Sequence, residues 1–173
     1  NNDALASFAR SVRDHGRGEE LEAINWGRNS RLDSINARVL IERIKNLENI
    51  LSKRRALASI YDDKLKSLEE ESLIKLPPKF STNSNSLSTY QNYEIQAKDK
   101  ENLINYLKEN NIGTIKQWGG YSIAHFSKLG FDIEQYPKTK ALFKELLLLP
   151  INHMMYKEEI AFICEKINNF YEK

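Results

Sequence analysis

From Leu32 to Leu68 apolar residues recur at helical spacing with no proline between them: Leu32, Ile35, Val39, Leu40, Ile44, Leu47 and Leu51, then Leu57, Ala58, Tyr61, Leu65 and Leu68. The pattern predicts one long helix, or two joined by a bend near Asn49. Asp33 or Ser34 supplies a side-chain oxygen for its N-cap. No other stretch of the chain is as long or as regular, so this span sets the frame into which the remaining elements must fit.

On the N-terminal side, Leu5, Phe8, Ala9 and Val12 mark one face of a short helix over Ala4 to Arg13, ended by His15-Gly16-Arg17-Gly18. Residues 17 to 31 have no period and read as a loop of functional length. On the C-terminal side the period changes. Ile74 to Leu76 is a short strand stopped by Pro77-Pro78, Ser81 to Ser88 is a polar flexible loop, and Thr89 to Ala97 alternates, with Tyr93 and Ile95 opposite Glu94 and Gln96. Asp99 starts a helix with Leu103, Ile104 and Leu107 inward, a short strand follows at Thr114 to Gln117, and a helix runs from about Pro137 to Leu146. Leu147 to Leu149 reads as a buried strand and Tyr156 to Tyr171 as an amphipathic helix. The fold class is therefore α+β: a helical segment over residues 1–70, then a small antiparallel sheet with helices on one side over 71–173.

Composition excludes several classes. With 40% apolar and 29% charged residues in 173, the chain supports one domain with a real core. Its longest apolar run, Leu146 to Ile151, is far short of a membrane span. The 26 basic and 24 acidic residues are mixed along the chain rather than gathered on one face, which argues against nucleic acid. The densest basic cluster, Lys53-Arg54-Arg55, reads as a solvated helix face, the other reading being a phosphate or nucleic-acid contact. The lone Cys164 fits a small core residue and a reducing, cytoplasmic setting. His15, His125 and His153 are too scattered for a metal site, so none is expected. The chain opens at Asn1-Asn2-Asp3 with neither an initiator Met nor a signal-like segment, which reads as a fragment.

No nucleophile-base pair or glycine-rich phosphate loop after a strand is present. Two polar stretches remain. Trp26-Gly27-Arg28-Asn29-Ser30-Arg31-Leu32-Asp33 places an amide donor and two guanidiniums just before a helix N-terminus, which suits an anion such as phosphate. The same residues also suit an Asn-Ser turn capped by Asp33. Gln117-Trp118-Gly119-Gly120-Tyr121 offers glycines for close backbone approach and two aromatic faces for a flat ligand or a sugar, or simply a tight turn.

Taken in order, these segments resemble the C-terminal half of the DegT/DnrJ/EryC1/StrS family of sugar aminotransferases. The resemblance runs over essentially the whole chain: Arg13-Asp14-His15-Gly16, then Gly27-Arg28-Asn29-Ser30-Arg31-Leu32-Asp33, then Arg55 followed by Tyr61. Tyr90-Gln91-Asn92-Tyr93, Ile112-Gly113-Thr114, Gln117-Trp118-Gly119-Gly120 and Leu148-Leu149-Pro150 look most like the subgroup acting on dTDP-linked 3-keto-6-deoxyhexoses. Asn36-Ala37-Arg38 departs from the family's more usual Gln-Ala-Ala.

The resemblance implies the small domain of a fold-type-I enzyme dependent on pyridoxal 5'-phosphate, with glutamate as amino donor. It implies a homodimer with shared active sites, in which Asn29 reaches the cofactor phosphate of the neighbouring subunit and Arg31 shapes the same pocket. Trp118, Gly119, Gly120, Tyr121 and His125 then lie near the sugar. The Schiff-base lysine is expected upstream of Asn1, not at Lys116, so these residues alone are expected to be inactive. The long helix is expected to lie against the large domain and to expose an apolar face without it. The alternatives are a dehydratase on the same scaffold, with that lysine replaced, and a non-catalytic helical interaction or nucleic-acid-binding module using Lys53-Arg54-Arg55.

Overall fold

The computed structural model describes residues 2–78 and 87–172. They form two compact units, 1–47 and 48–173. Most of the Ser81 to Ser88 loop, residues 81–86, lies outside the described residues.

The first unit holds α1 (Asp3–Arg13) and α2 (Ser34–Lys45). Asn2 caps α1 by accepting the Leu5 N–H at 3.0 Å, and Asp33 caps α2 by accepting the Asn36 N–H at 2.9 Å. No residue of α2 is buried. Ile35, Val39, Leu40, Ile41 and Ile44 are all exposed, with Ile35 at 79%, so this helix presents the uncovered apolar face that its spacing predicts. Arg38 pairs with Glu42 one turn on, at 2.9 Å, so its extra length is spent along the helix surface.

The long helical span is interrupted at Asn46, three residues before the expected bend. There φ is −108°, ψ is 8°, and the N–H is shared between the Arg43 and Ile44 carbonyls. Asparagine tolerates such departures because its side chain competes for backbone partners. A second interruption falls at Leu65 (φ −106°, ψ 5°), between α3 (Leu47–Lys64) and α4 (Lys66–Glu70).

The second unit is built on a three-stranded antiparallel sheet ordered β1-β2-β3: Ile74–Lys75, Tyr93–Ala97 and Leu146–Leu149. Ile74 faces Ala97, and Tyr93 faces Leu149. Alternation places Tyr93, Ile95 and Ala97 inward, against Leu57, Tyr61 and Leu65 of the α3 span, Leu103 and Leu107 of α5 (Lys100–Glu109), and Ile160, Ile163, Cys164 and Ile167 of α7 (Lys157–Tyr171). A fully buried aliphatic side chain of this kind contributes about 1.5–3 kcal/mol. α3 and α4 supply Leu57 to Leu68 to this core, and the compact units divide after residue 47.

Leu146 and Leu148 point to the opposite face of the sheet and are buried as well. Ile115 exchanges both backbone hydrogen bonds with Leu148, at 3.2 and 2.9 Å. That single bridge is all that forms of the strand expected at Thr114 to Gln117. The chain cannot stay extended, because Trp118 and Gly119 adopt φ of 53° and 69°.

Two further differences share one cause. The strand expected from Thr89 begins only at Tyr93, since Arg54 Nη1 donates to the Tyr90 carbonyl at 3.0 Å and Arg55 Nε to the Ser88 carbonyl at 3.1 Å. Tyr90 itself has φ +42°. The Lys53-Arg54-Arg55 cluster is therefore no solvated face: the two arginines are half-buried and tie α3 to the approach to β2, and only Lys53 is exposed. Asp99, expected as a helix cap, adopts φ +54° and makes no side-chain cap bond. Its carboxylate accepts from the Asn102 amide instead, at 2.9 Å.

The two large phenols of the core are hydrogen-bonded. Tyr61 and Tyr93 stack at 4.5 Å, the Tyr61 hydroxyl donates to the Pro150 carbonyl at 2.8 Å, and the Tyr93 hydroxyl donates to the buried Asp62. Burial holds both phenols well above the ordinary tyrosine range, with the Asp62 hydrogen bond adding to it at Tyr93. Burial pushes the Cys164 thiol up to about 12.

Candidate functional site

Each unit carries one of the two polar stretches. In the first, the unpaired carbonyls at the end of α1 hold the loop that follows. The Ser11 carbonyl accepts from Gly16 N–H at 2.8 Å, Val12 from Arg28 N–H at 2.9 Å, and Arg13 from Ser30 N–H at 2.9 Å. His15 N–H donates to the Arg28 carbonyl at 3.2 Å, so Asp14 and Asn29 sit opposite one another as an antiparallel bridge. A second bridge joins Arg17 to Ala23. The loop over 17–31, aperiodic in sequence, is thus a cross-bonded structure rather than a free connection.

Two glycines make the closure feasible. A Cβ on Gly27 would stand 2.1 Å from the Gly16 nitrogen, and one on Gly16, which has φ +76°, would stand 1.7 Å from the Asn25 carbonyl oxygen. The Asn25 amide completes the crossing by donating to Ser11 Oγ at 3.1 Å.

This scaffold holds Asn29 and Arg31 at the surface. Arg31 Nε donates to Asn29 Oδ1 at 3.2 Å, while Arg31 Nη1 lies 3.4 Å from Asp14 Oδ1. With its oxygen engaged, the Asn29 amide has its NH2 left to donate. One amide donor and one oriented guanidinium form a set suited to a phosphate monoester.

The helix N-terminus contributes less than the sequence suggests. Asp33 already occupies it, and its carboxyl is held below the ordinary range first by the Asn36 backbone N–H and then by the Asn36 amide. An anion at this loop is therefore met by side chains, not by the first turn of α2. Asp33 caps the turn, and the bonded Asn29 and Arg31 side chains stand beside it.

In the second unit, Lys116 to Tyr121 make a tight turn in which Gly119 N–H donates to the Lys116 carbonyl at 3.1 Å. A Cβ on Gly119 would meet nothing within 4 Å, and one on Gly120 only the Lys116 side chain at 3.6 Å. The two glycines take positive φ of 69° and 89°, leaving the backbone open on that side. Trp118 is 78% exposed and Tyr121 57%. Lys116 Nζ is held by both Glu101 oxygens, at 2.8 and 2.7 Å.

His125 is half-buried. Its ring meets Tyr121 edge-on at 5.8 Å and Phe143 at 5.8 Å, and Ser122 contacts its Nδ1 through both N–H and Oγ. A groove beside it is lined by Gly120, Glu134, Pro137, Lys140 and Phe143.

The structure adds residues that local spacing does not single out: Asp14, Gly16, Asn25 and Ser11 under Asn29, and Ser122, Phe143 and Lys100 around His125. Lys100 is buried and donates to the Phe143 carbonyl at 2.8 Å. Its ammonium is held below the ordinary range by burial, with Glu101 opposing and Lys116 adding to the shift. Among the described residues no three His, Cys, Asp or Glu side chains gather as a metal site, and no helix is long and apolar enough to cross a membrane.

A solved DegT DnrJ EryC1 StrS aminotransferase from Brucella abortus superposes with a TM-score of 0.79 at 26% identity, over 100% of this chain and 45% of that one. The model of the DegT/DnrJ/EryC1/StrS aminotransferase family matches residues 1–168, and the chain belongs to that family.

Among curated relatives, the dTDP-3-amino-3,6-dideoxy-alpha-D-galactopyranose transaminase of Aneurinibacillus thermoaerophilus is 26% identical over 170 residues, 98% of this chain and 45% of its own length. The "Pleiotropic regulatory protein" of Geobacillus stearothermophilus is 29% identical over 173 residues, 99% of this chain and 45% of its own length. The chain spans about 45% of the length of the curated relatives named here.

Proposed function

We propose that these residues are the C-terminal part of a cytoplasmic, homodimeric nucleotide-sugar aminotransferase that uses pyridoxal 5'-phosphate to move an amino group from glutamate to a dTDP-linked keto-6-deoxyhexose. The family supports the reaction class. The observation that carries the site is the Asn29 amide, exposed on a loop bonded at both ends to α1, with its oxygen engaged by Arg31.

The donor set at this loop fits the phosphate of pyridoxal phosphate and has nothing suited to its ring. When bound, that cofactor carries the amino group between donor and acceptor and serves as the electron sink. In this reading Asn29 donates to the phosphate of the neighbouring subunit's cofactor, and Arg31 neutralises charge there while keeping the amide oriented. Trp118 and Tyr121 offer aromatic faces to the sugar, with Gly119 and Gly120 setting the turn that presents them. Residues 1–70 link to the large domain, which covers the apolar face of α2 and supplies the lysine, and residues 71–173 act as the small domain.

Asn29→Ala in the full-length enzyme tests the assignment. Loss of a hydrogen bond to a charged group weakens cofactor retention by about tenfold or more, read by equilibrium dialysis against free cofactor. The unfolding midpoint moves little, because the side chain is exposed. Unchanged cofactor affinity sinks the Asn29 assignment, and no amino transfer from glutamate to any dTDP-keto-deoxyhexose sinks the function.

A further inference from the structure

His125 ends the short turn Ile123–His125, and its ring nitrogen Nδ1 is met twice by Ser122, by the backbone N–H at 3.0 Å and by Oγ at 2.9 Å. A backbone amide can only donate. Nδ1 must therefore present its lone pair, and in a neutral imidazole the proton then resides on Nε2.

The ring is also kept from turning. Tyr121 lies across it at 80° and Phe143 at 57°. The backbone carbonyl of Phe143 accepts from the Lys100 ammonium. Among the described residues no hydrogen bond engages Nε2. Two nearby ammoniums are paired, Lys140 with Glu134 at 2.7 Å and Lys116 with Glu101, and Lys144 also lines the groove.

We propose that the backbone N–H of Ser122, a positioning group, fixes His125 as the Nε2–H tautomer, and that this Nε2–H donates to a hydroxyl or carbonyl oxygen of the sugar. The proposal rests on the reading of the Gly120–His125 segment as the sugar side of the pocket. It adds the form in which the histidine works and the residue that sets it.

Long-range 15N–1H NMR on the full-length holoenzyme, above the ordinary histidine pKa of about 6.5, reads the tautomer without any reaction. The expected spectrum has Nδ1 unprotonated and Nε2 protonated. Ser122→Ala keeps the backbone donor and the same spectrum. Ser122→Pro removes the donor, and the backbone allows it: Tyr121 lies at φ −119°, ψ 134° and Ser122 at φ −89°. Its spectrum becomes a mixture of tautomers. A protonated Nδ1 in the wild type, or an unchanged tautomer in Ser122→Pro, overturns the positioning role.

The ligand is tested kinetically with the keto-sugar nucleotide. His125→Asn, which ends short of Nε2, raises KM up to about tenfold, the cost of one neutral hydrogen bond, with a smaller change in kcat. His125→Gln, whose amide reaches that position, recovers most of the loss. Equal KM values for the two variants overturn the donor role. Absence of amino transfer altogether overturns the sugar as ligand, while the NMR result still decides the tautomer.

Discussion

Gly27→Ala is the sharpest test of how this chain presents Asn29. The added methyl would lie 2.1 Å from the Gly16 nitrogen, 2.7 Å from its Cα and 2.7 Å from the His15 carbonyl carbon. All three are backbone atoms, so no side chain can rotate away. The two segments must separate, and they do so where they are bonded. Arg28 N–H leaves the Val12 carbonyl and His15 N–H leaves the Arg28 carbonyl, now at 2.9 and 3.2 Å. Two such bonds are worth about 1 kcal/mol each, and backbone overpacking costs about 1–3 kcal/mol. The loop therefore loses roughly 3–5 kcal/mol relative to its open form, at least about a hundredfold in the opening equilibrium.

Hydrogen exchange resolves this directly. The Arg28 and Ser30 amides lose at least about a hundredfold in protection, while amides of β2 and α7 exchange as in the wild type. Gly113→Ala is the control. A Cβ there meets nothing within 4 Å, and its effect stays within about 0.5 kcal/mol. Wild-type protection at Arg28 and Ser30 in Gly27→Ala would refute the reasoning. So would equal losses in β2, since the damage would then not be local.

Two further predictions concern the second unit. Cys164 is buried with its thiol pushed up to about 12, so iodoacetamide at about pH 8.5, near the ordinary thiol pKa, labels it only after denaturation. Labelling of the native protein at the denatured rate contradicts that burial. Tyr61 and Tyr93 stand above the ordinary tyrosine pKa of about 10 in the folded state, so the folded chain retains protons that the unfolded chain releases. Their stabilisation is complete below about pH 10 and falls as pH rises further, by up to about 1.4 kcal/mol per unit for each group. Urea denaturation from pH 8 to 11 measures the slope, which Tyr93→Phe should reduce; an unchanged slope assigns the alkaline loss to other groups.

Much of this protein can be read from spacing alone. Period 3.6 located the helices of residues 32–68 and 157–171, period 2 placed Tyr93 and Ile95 inward, and Asp33 stood where a cap was needed. A local period reports which face of an element is apolar, and burial then follows. The order of short motifs around Asn29, Arg55, Trp118 and Pro150 marked the family, because each sits where a backbone turn or a polar contact restricts the residue.

Tertiary structure decided everything that depends on a partner distant in sequence. Arg54 and Arg55 look like solvated charge until the carbonyls of Ser88 and Tyr90 arrive 33 and 36 residues later. Thr114 to Gln117 alternates like a strand, yet only Ile115 finds a partner, in Leu148. The bend fell at Asn46 rather than Asn49, since helical spacing continues across it and does not mark the break. Gly16 and Gly27 are ordinary loop glycines in the sequence. Only the crossing of their two segments makes each indispensable, because a distance of 2.1 Å between a missing Cβ and a backbone nitrogen exists in three dimensions and leaves no trace in local pattern.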